Sequence, residues 1–378
     1  HLESGMRRLV AVLLTAIILL PIQASAASDD LWDEARVFPD EAGFESAGTI
    51  GGISIPLNNN TTHQGTTVSS GVNSLPTVVE VYTATWCSNC VKTEQALDEA
   101  IENLEPHREV TRIHYHRSLY ETLDPFGSNR TDNHWMNTYG EGSLLSTGTS
   151  SIAGTKRSAP STVFDGERMY TGTSTKSNSL QTDYATGLSM GSNHPFNDSA
   201  SLSLSVSKRA YEGIEASNYS WQISESCHPG ESETFEVFHI GWDVGDLQSI
   251  EAGFGDEYGF RALLMFVEES AYFPEGSNGK GNYSHVLHSV LPVAPGWTFS
   301  YDTTKPLRST NVSVWEIPVG FCPLSTWDGD DMSVVLMVNW ASFTPPDGNS
   351  MPAPALSTLL CMLAALVPRR ERDSKPMQ

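Results

Sequence analysis

Thr77-Val78-Val79-Glu80-Val81-Tyr82-Thr83, followed after two residues by Trp86-Cys87-Ser88-Asn89-Cys90 and the run Val91 to Leu104, is the stretch that decides how this chain is read. The first segment is rich in β-branched and aromatic residues, which predicts a buried strand. The last places Val91, Ala96, Leu97, Ala100, Ile101 and Leu104 at helical spacing, with Lys, Glu and Asp between them. A Cys-x-x-Cys at such a strand-to-helix junction is built for redox chemistry. The free N–H groups and positive dipole end of a helix lower the pKa of a thiol placed there, and the thiolate is the nucleophile. The two-residue spacer lets the second thiol resolve the mixed disulfide that the first one forms. A structural zinc half-site is the competing reading. Zinc usually takes a second ligand pair, and the sequence holds no other Cys-x-x-Cys or close Cys/His cluster, so no metal is expected.

The 378 residues suffice for two ordinary domains once both ends are set aside. Hydrophobic content of 39% with 18% charged residues fits a globular chain. The formal charge of −23 argues against a nucleic-acid partner, which needs clustered Lys and Arg.

His1-Leu2-Glu3-Ser4-Gly5 precedes Met6 and is set aside as foreign or upstream sequence. Residues 6–26 then read as a secretory signal peptide: Arg7 and Arg8, the apolar run Leu9 to Leu20, and Ala24-Ser25-Ala26 as the cleavage site. The expected location is extracytoplasmic. Seven Asn-x-Ser/Thr acceptors, at Asn59, Asn60, Asn129, Asn197, Asn218, Asn282 and Asn311, are compatible with a glycoprotein. Residues 27–74 read as an acidic segment, with Leu31, Trp32 and Phe38 as docking candidates, and then a flexible linker with one short strand near Ile50–Ile55.

A first domain is expected over 75–190. After the motif helix come a second strand at Val110–His116, a helix from Ser128 to Tyr139, and a hairpin. The hairpin is built from Ser158-Ala159-Pro160-Ser161-Thr162-Val163-Phe164, the turn Asp165-Gly166, and Glu167–Tyr170. A last helix is expected within 174–189. This order, with WCSNC after the first strand and Ala159-Pro160 before the hairpin, resembles the thioredoxin superfamily. The resemblance implies an α/β thioredoxin-like domain, a cis-proline at Pro160 beside the cysteines, and a backbone at Ala159 that pairs with a bound substrate chain. One departure stands out: the family's buried acid, six residues before the first Cys, is Val81 here. Glu80 lies one place earlier and on the other strand face, where a strand-edge or solvated acid is the simpler reading. His114 and His116 share a strand face, and satisfied or exposed histidines are a simpler reading than a metal pair.

Residues 195–345 show short alternating segments separated by Gly, Pro, Asn and Asp, which predicts an all-β antiparallel sandwich domain. Cys227 and Cys322 are candidates for a structural disulfide inside it, two separate buried thiols being the alternative. Arg261–Glu269 followed by Asn282–Leu291 resembles bacterial outer-membrane-associated proteins that join a thioredoxin-like domain to an immunoglobulin-like one. His285 and His288 are expected on opposite strand faces. Residues 352–372 combine Pro352 and Pro354, a short apolar run containing Cys361, and Arg369-Arg370-Glu371-Arg372. The run is short for a stable span and resembles a prokaryotic C-terminal sorting signal, an anchor or a processed tail.

These readings converge on a surface- or membrane-tethered thiol–disulfide oxidoreductase acting on cysteine-containing proteins, with no organic cofactor. Cys87 attacks, Cys90 resolves, and Trp86, Ala159 and Pro160 shape the substrate groove. The rival is a non-enzymatic surface protein whose sandwich binds a partner or glycan and whose Cys pair is a structural disulfide.

Overall fold

The computed structural model describes residues 31–38, 44–57, 65–104, 109–117, 124–147, 155–212, 234–245, 257–292, 298–300, 315–320 and 331–343. The signal segment, Cys227, Cys322, Cys361 and the tail at 352–372 lie outside the described residues.

Strand β4 (Thr77–Thr83) is buried along its whole length. Beside it run β5 (Val110–His116), parallel, and β6 (Ser161–Phe164), antiparallel. Helix α1 (Ser88–Glu102) connects β4 to β5. Helix α2 (Asn129–Ser146) opens with a reciprocal cap between Ser128 and Thr131, which satisfies N–H groups the helix itself cannot. The β6–β7 (Arg168–Thr171) hairpin turns at Asp165-Gly166, where φ is 48° and 67°. The Glu167 N–H closes this turn on the Phe164 carbonyl at 3.0 Å, and Asp and Gly tolerate the positive φ at its two central positions. Helix α3 (Leu180–Met190) is capped by the Ser179 hydroxyl.

The remaining strands are β1 (Asp33–Glu34), β2 (Phe44–Leu57), β3 (Thr66–Gly71), β8 (Ser201–Glu212), β9 (Thr234–Gly245), β10 (Glu257–Tyr272), β11 (Asn282–Pro292), β12 (Thr298–Ser300), β13 (Trp315–Gly320) and β14 (Met332–Phe343). They overturn the expected division into an α/β thioredoxin-like domain and a separate all-β sandwich. The described chain is mostly strand with three helices, and one 10-stranded mixed sheet runs through both halves. Its order is β1-β7-β6-β4-β5-β11-β10-β14-β2, with β12 also on β10. The joint is β11, which lies parallel to β5 at Val286 and His114. A second sheet, β13-β9-β8-β3, is antiparallel. The expected linker differs in extent: the one short strand expected near Ile50–Ile55 is part of the 14-residue strand β2, paired along β14. Gly51 and Gly52, at φ 111° and 113°, form the bulge in that pairing, a conformation open to glycine at little cost.

Alternation along the strands sorts the core into layers. Val79 and Val81 face Leu97 and Ala100 of α1 and Tyr184 and Leu188 of α3, where Leu31 and Trp32 also dock. Val78 and Tyr82 point the other way, onto Trp135 and Tyr139 of α2. That same cluster takes Leu263, Met265 and Val267 of β10 and Val335 and Met337 of β14. Helix α2 therefore covers the seam between the two halves of the sheet. It comes close enough that a Cβ on Gly142 would lie 2.5 Å from the Ala35 carbonyl oxygen. On the opposite face, Phe260, Ala262, Leu264 and Phe266 pack against Leu202, Leu204 and Val206 of β8 and Ile240 and Trp242 of β9. Among the described residues no helix is long and apolar enough to cross a membrane.

Under α2 lies a buried polar chain. Glu80 accepts hydrogen bonds from the hydroxyls of Tyr115, at 2.7 Å, and Tyr139. The Arg36 guanidinium donates to Tyr139 Oη at 3.2 Å and to Asn339 Oδ1 at 2.8 Å. Thr49 Oγ1 donates to the same Asn339 oxygen at 2.8 Å. This chain ties β4, β5, α2, β2 and β14 together. Burial pushes the Glu80 carboxyl above its ordinary value of 4.5, more than the two tyrosines and Arg36 pull it down. A raised value in the fold means that the folded chain keeps a proton the unfolded one has released. The resulting stabilisation is complete below about pH 4.5 and is lost as pH rises through the folded value. Glu80→Gln cannot ionise, so its stability relative to the unaltered chain should rise with pH, by about 1.4 kcal/mol per pH unit within that window. Urea unfolding of both proteins from pH 4 to 8 measures this, and a difference independent of pH would contradict it.

Candidate functional site

β4 ends at Thr83, and Ala84, Thr85 and Trp86 carry the chain to the start of α1. Cys87 is the cap of that helix: its Sγ accepts from the Cys90 N–H at 3.1 Å, and its own N–H donates to the Ala84 carbonyl at 3.1 Å. Cys87 and Cys90 form a disulfide, S–S 2.01 Å with Cα atoms 5.3 Å apart. The pair is asymmetric, Cys87 being 6% exposed and Cys90 0%. Ser88 and Asn89 between them are exposed. Trp86 and Ala159 pack on the two sulfur residues, and the Ala159–Pro160 bond is cis. The fold thus brings Trp86 and Ala159 onto the Cys pair, with Pro160 next in the chain, and the Arg117 guanidinium lies 5.8 Å from the Trp86 ring centre.

The loop before the motif is braced from both sides. Asp124, just ahead of α2, accepts from the Thr85 N–H at 2.8 Å and the Phe126 N–H at 3.2 Å, and bonds His116 Nδ1 at 3.1 Å. Burial alone would raise the Asp124 carboxyl; the His116 ring and the two backbone donors outweigh it and hold the group below its ordinary value. From the other side comes the turn between β10 and β11. The Asn278 N–H donates to the Thr85 carbonyl at 3.1 Å, and its side-chain amide reaches the Ala84 carbonyl at 3.3 Å. Tyr283 Oη donates to Asn278 Oδ1 at 2.8 Å. Burial, with the nearby Asp124 and Glu94 carboxylates, pushes the Tyr283 hydroxyl up to about 12. Lys280 Nζ meets Glu94 Oε2 at 2.5 Å, and Glu94 Oε1 accepts from Thr83 Oγ1 at 2.7 Å.

Sequence reasoning missed Asp124, Glu94, Asn278, Lys280 and Tyr283. Asp124-Pro125 and Asn278-Gly279-Lys280 look like plain turn chemistry, and Glu94 looks like one more acid on a solvated face. The signal that could have found Glu94 is its spacing, four residues after Cys90 and so on the same helix face.

Other candidates fall elsewhere. Glu80 belongs to the Tyr115–Tyr139–Arg36 chain on the α2 side. His114 and His116 are both buried on one strand face, and burial, with His285 and Arg112 nearby, holds His114 well below its ordinary value. His285 Nδ1 meets Glu269 Oε2 at 2.8 Å, whereas His288 Nε2 meets Glu268 Oε2 at 2.6 Å. Their partners are consecutive residues of β10 and so face opposite ways. Among the described residues no three His, Cys, Asp or Glu side chains converge as a metal site.

No protein-family model and no curated protein matches the chain. Among solved structures, HBP35 of Porphyromonas gingivalis aligns at 14% identity and TM-score 0.35, over 74% of this chain and 79% of that one. A structural-genomics protein from Agrobacterium tumefaciens aligns at 14% identity and TM-score 0.31, over 65% and 78%. These are weak structural neighbours, and neither defines the fold of this chain.

The bracing turn passes the motif loop at Gly276, where a Cβ would lie 2.2 Å from Tyr283 Oη and 2.9 Å from the Thr85 carbonyl oxygen. Gly276→Ala should push the turn off the loop at a cost of about 1–3 kcal/mol. Hydrogen exchange of the Asn278 amide, which donates to Thr85, should then quicken by roughly fivefold or more. An unchanged rate would show that the turn does not hold the loop.

Proposed function

We propose that this chain is an exported thiol–disulfide oxidoreductase that acts on cysteine-containing proteins through Cys87 and Cys90. The observation that carries the reading is the asymmetric pair at a helix start, with the outer sulfur residue capping the helix and the inner one sealed. An anion at Cys87 gains from the helix dipole and the Cys90 N–H, so more of this thiol is ionised near neutral pH and its thiolate is the better leaving group. The likeness of WCSNC and Ala159-Pro160 to the thioredoxin superfamily supports the same chemistry at the level of the site.

In the reducing direction, the Cys87 thiolate attacks one sulfur of a substrate disulfide. That S–S bond breaks, and the first substrate sulfur leaves as a thiolate that takes a proton from solvent. Cys90 then loses its proton and attacks Cys87 Sγ, the Cys87–substrate bond breaks, and the second substrate thiolate leaves. Two electrons pass from the protein dithiol to the substrate, and the Cys87–Cys90 bond forms. The reverse sequence oxidises a substrate dithiol. Trp86 and Ala159 border the groove in which the substrate chain lies. The proposed location, outside the cytoplasm at a surface or membrane, rests on the Met6–Ala26 signal and the 352–372 tail, the tail being the membrane contact.

One observation favours the rival: at 6% exposure Cys87 is nearly covered, which suits a structural disulfide in a surface protein that binds a partner or glycan. The unaltered chain and two variants separate the two. The unaltered chain should catalyse insulin reduction by dithiothreitol. Cys90→Ser should accumulate mixed disulfides through Cys87, and Cys87→Ser should accumulate none. Iodoacetamide labelling of Cys87 against pH should show a value below the free-thiol figure of about 8.5. An ordinary Cys87 value together with no trapped partner would favour the structural disulfide.

A further inference from the structure

Among the described ionisable side chains of α1, setting the two cysteines aside, Glu94 alone is buried. A carboxylate on the core face of a helix is costly unless it is paired and hydrogen-bonded. Here the partner is Lys280, from a turn 186 residues away, and the hydrogen bond comes from Thr83 at the end of β4. Four residues separate Cys90 from Glu94, so the two side chains are neighbours along one helix face, about 5–6 Å apart at Cβ. Cys90 itself is fully buried. A thiol there has no water to take its proton when it must attack Cys87.

We propose that Glu94, held in place by Lys280, receives the Cys90 thiol proton during resolution of the mixed disulfide. This rests on the oxidoreductase reading above. The proton passes from Cys90 Sγ to the Glu94 carboxylate. The Cys90 thiolate forms the S–S bond to Cys87, the bond from Cys87 to the substrate sulfur breaks, and the departing thiolate takes that proton. The carboxylate is then restored. Lys280 holds Glu94 in place and is a positioning residue, acting through it. Tyr283 lies beside both members of this pair and His114 of β5 beside Lys280, while Asp124, bonded to His116, lies near Tyr283.

The full chain, reduced and freed of reductant, is mixed with 5,5′-dithiobis-(2-nitrobenzoate). Cys87 releases one thionitrobenzoate and Cys90, by attacking the mixed disulfide, releases a second. The Cys90→Ser trace gives the first release alone and the background from the other cysteines. Glu94→Gln keeps an oxygen for Thr83 but cannot hold the proton. It should slow the second release by on the order of 10²-fold near pH 6–7 and approach the unaltered rate at high pH, where Cys90 ionises unaided. The first release should not change. Glu94→Asp should recover much of the lost rate, and Lys280→Met should move the profile in the Glu94→Gln direction. A second release with the same pH profile in Glu94→Gln and the unaltered chain overturns this role while leaving the oxidoreductase intact. Absence of even the first release from the unaltered chain overturns both.

Discussion

The structure depends on the meeting of β5 and β11, one parallel contact at His114 and Val286 through which the two halves of the chain share a sheet. Either half alone would end there in an edge of unpaired N–H and C=O groups, the kind of surface that pairs with whatever strand it meets. Joined, they present one continuous face to α2. Trp135 and Tyr139 can then pack against residues of β4, β5, β10 and β14 together. The contact also fixes where the β10–β11 turn lands, against Ala84 and Thr85. The geometry of the Cys pair is therefore set by residues nearly two hundred positions away.

Charge follows the same logic. The chain carries 45 acidic and 22 basic residues, so most acids lack a basic partner and belong in water. The bases placed inside do specific tasks. Arg36 completes the chain that encloses Glu80, and Lys280 meets the one buried acid of α1. Removing Lys280 would strand the Glu94 carboxylate away from solvent, which costs more than the pair contributes.

Local features were readable in the sequence. The motif helix, the Asp165-Gly166 hairpin and the buried run at Thr77–Thr83 declare themselves by spacing, turn chemistry and β-branching. The architecture was not. Two regions with different periodicities read as two domains, because nothing local says that their sheets share an edge. Residues 44–57 read as linker with only a short strand near Ile50–Ile55, because Gly51-Gly52 and the neighbouring Ser and Thr residues resemble flexible chain. In the fold those glycines are the bulge of a long strand whose Ile50, Ile53, Ile55 and Leu57 are buried. At the site, the cysteines were legible and their supports were not. Asp124, Asn278 and Lys280 act through backbone groups and a single carboxylate, and they come from turns whose sequence announces only a change of direction.

The pairing of β2 with β14 bears on how the chain is made. Thr49 and Asn339, which share a hydrogen bond across it, are 290 residues apart. A chain growing from its N-terminus cannot close this sheet until nearly all of it has been synthesised. Loops of that length must be closed before their contacts contribute, which makes the topology slow to form. A strand waiting that long for its partner is a hazard in a crowded cell.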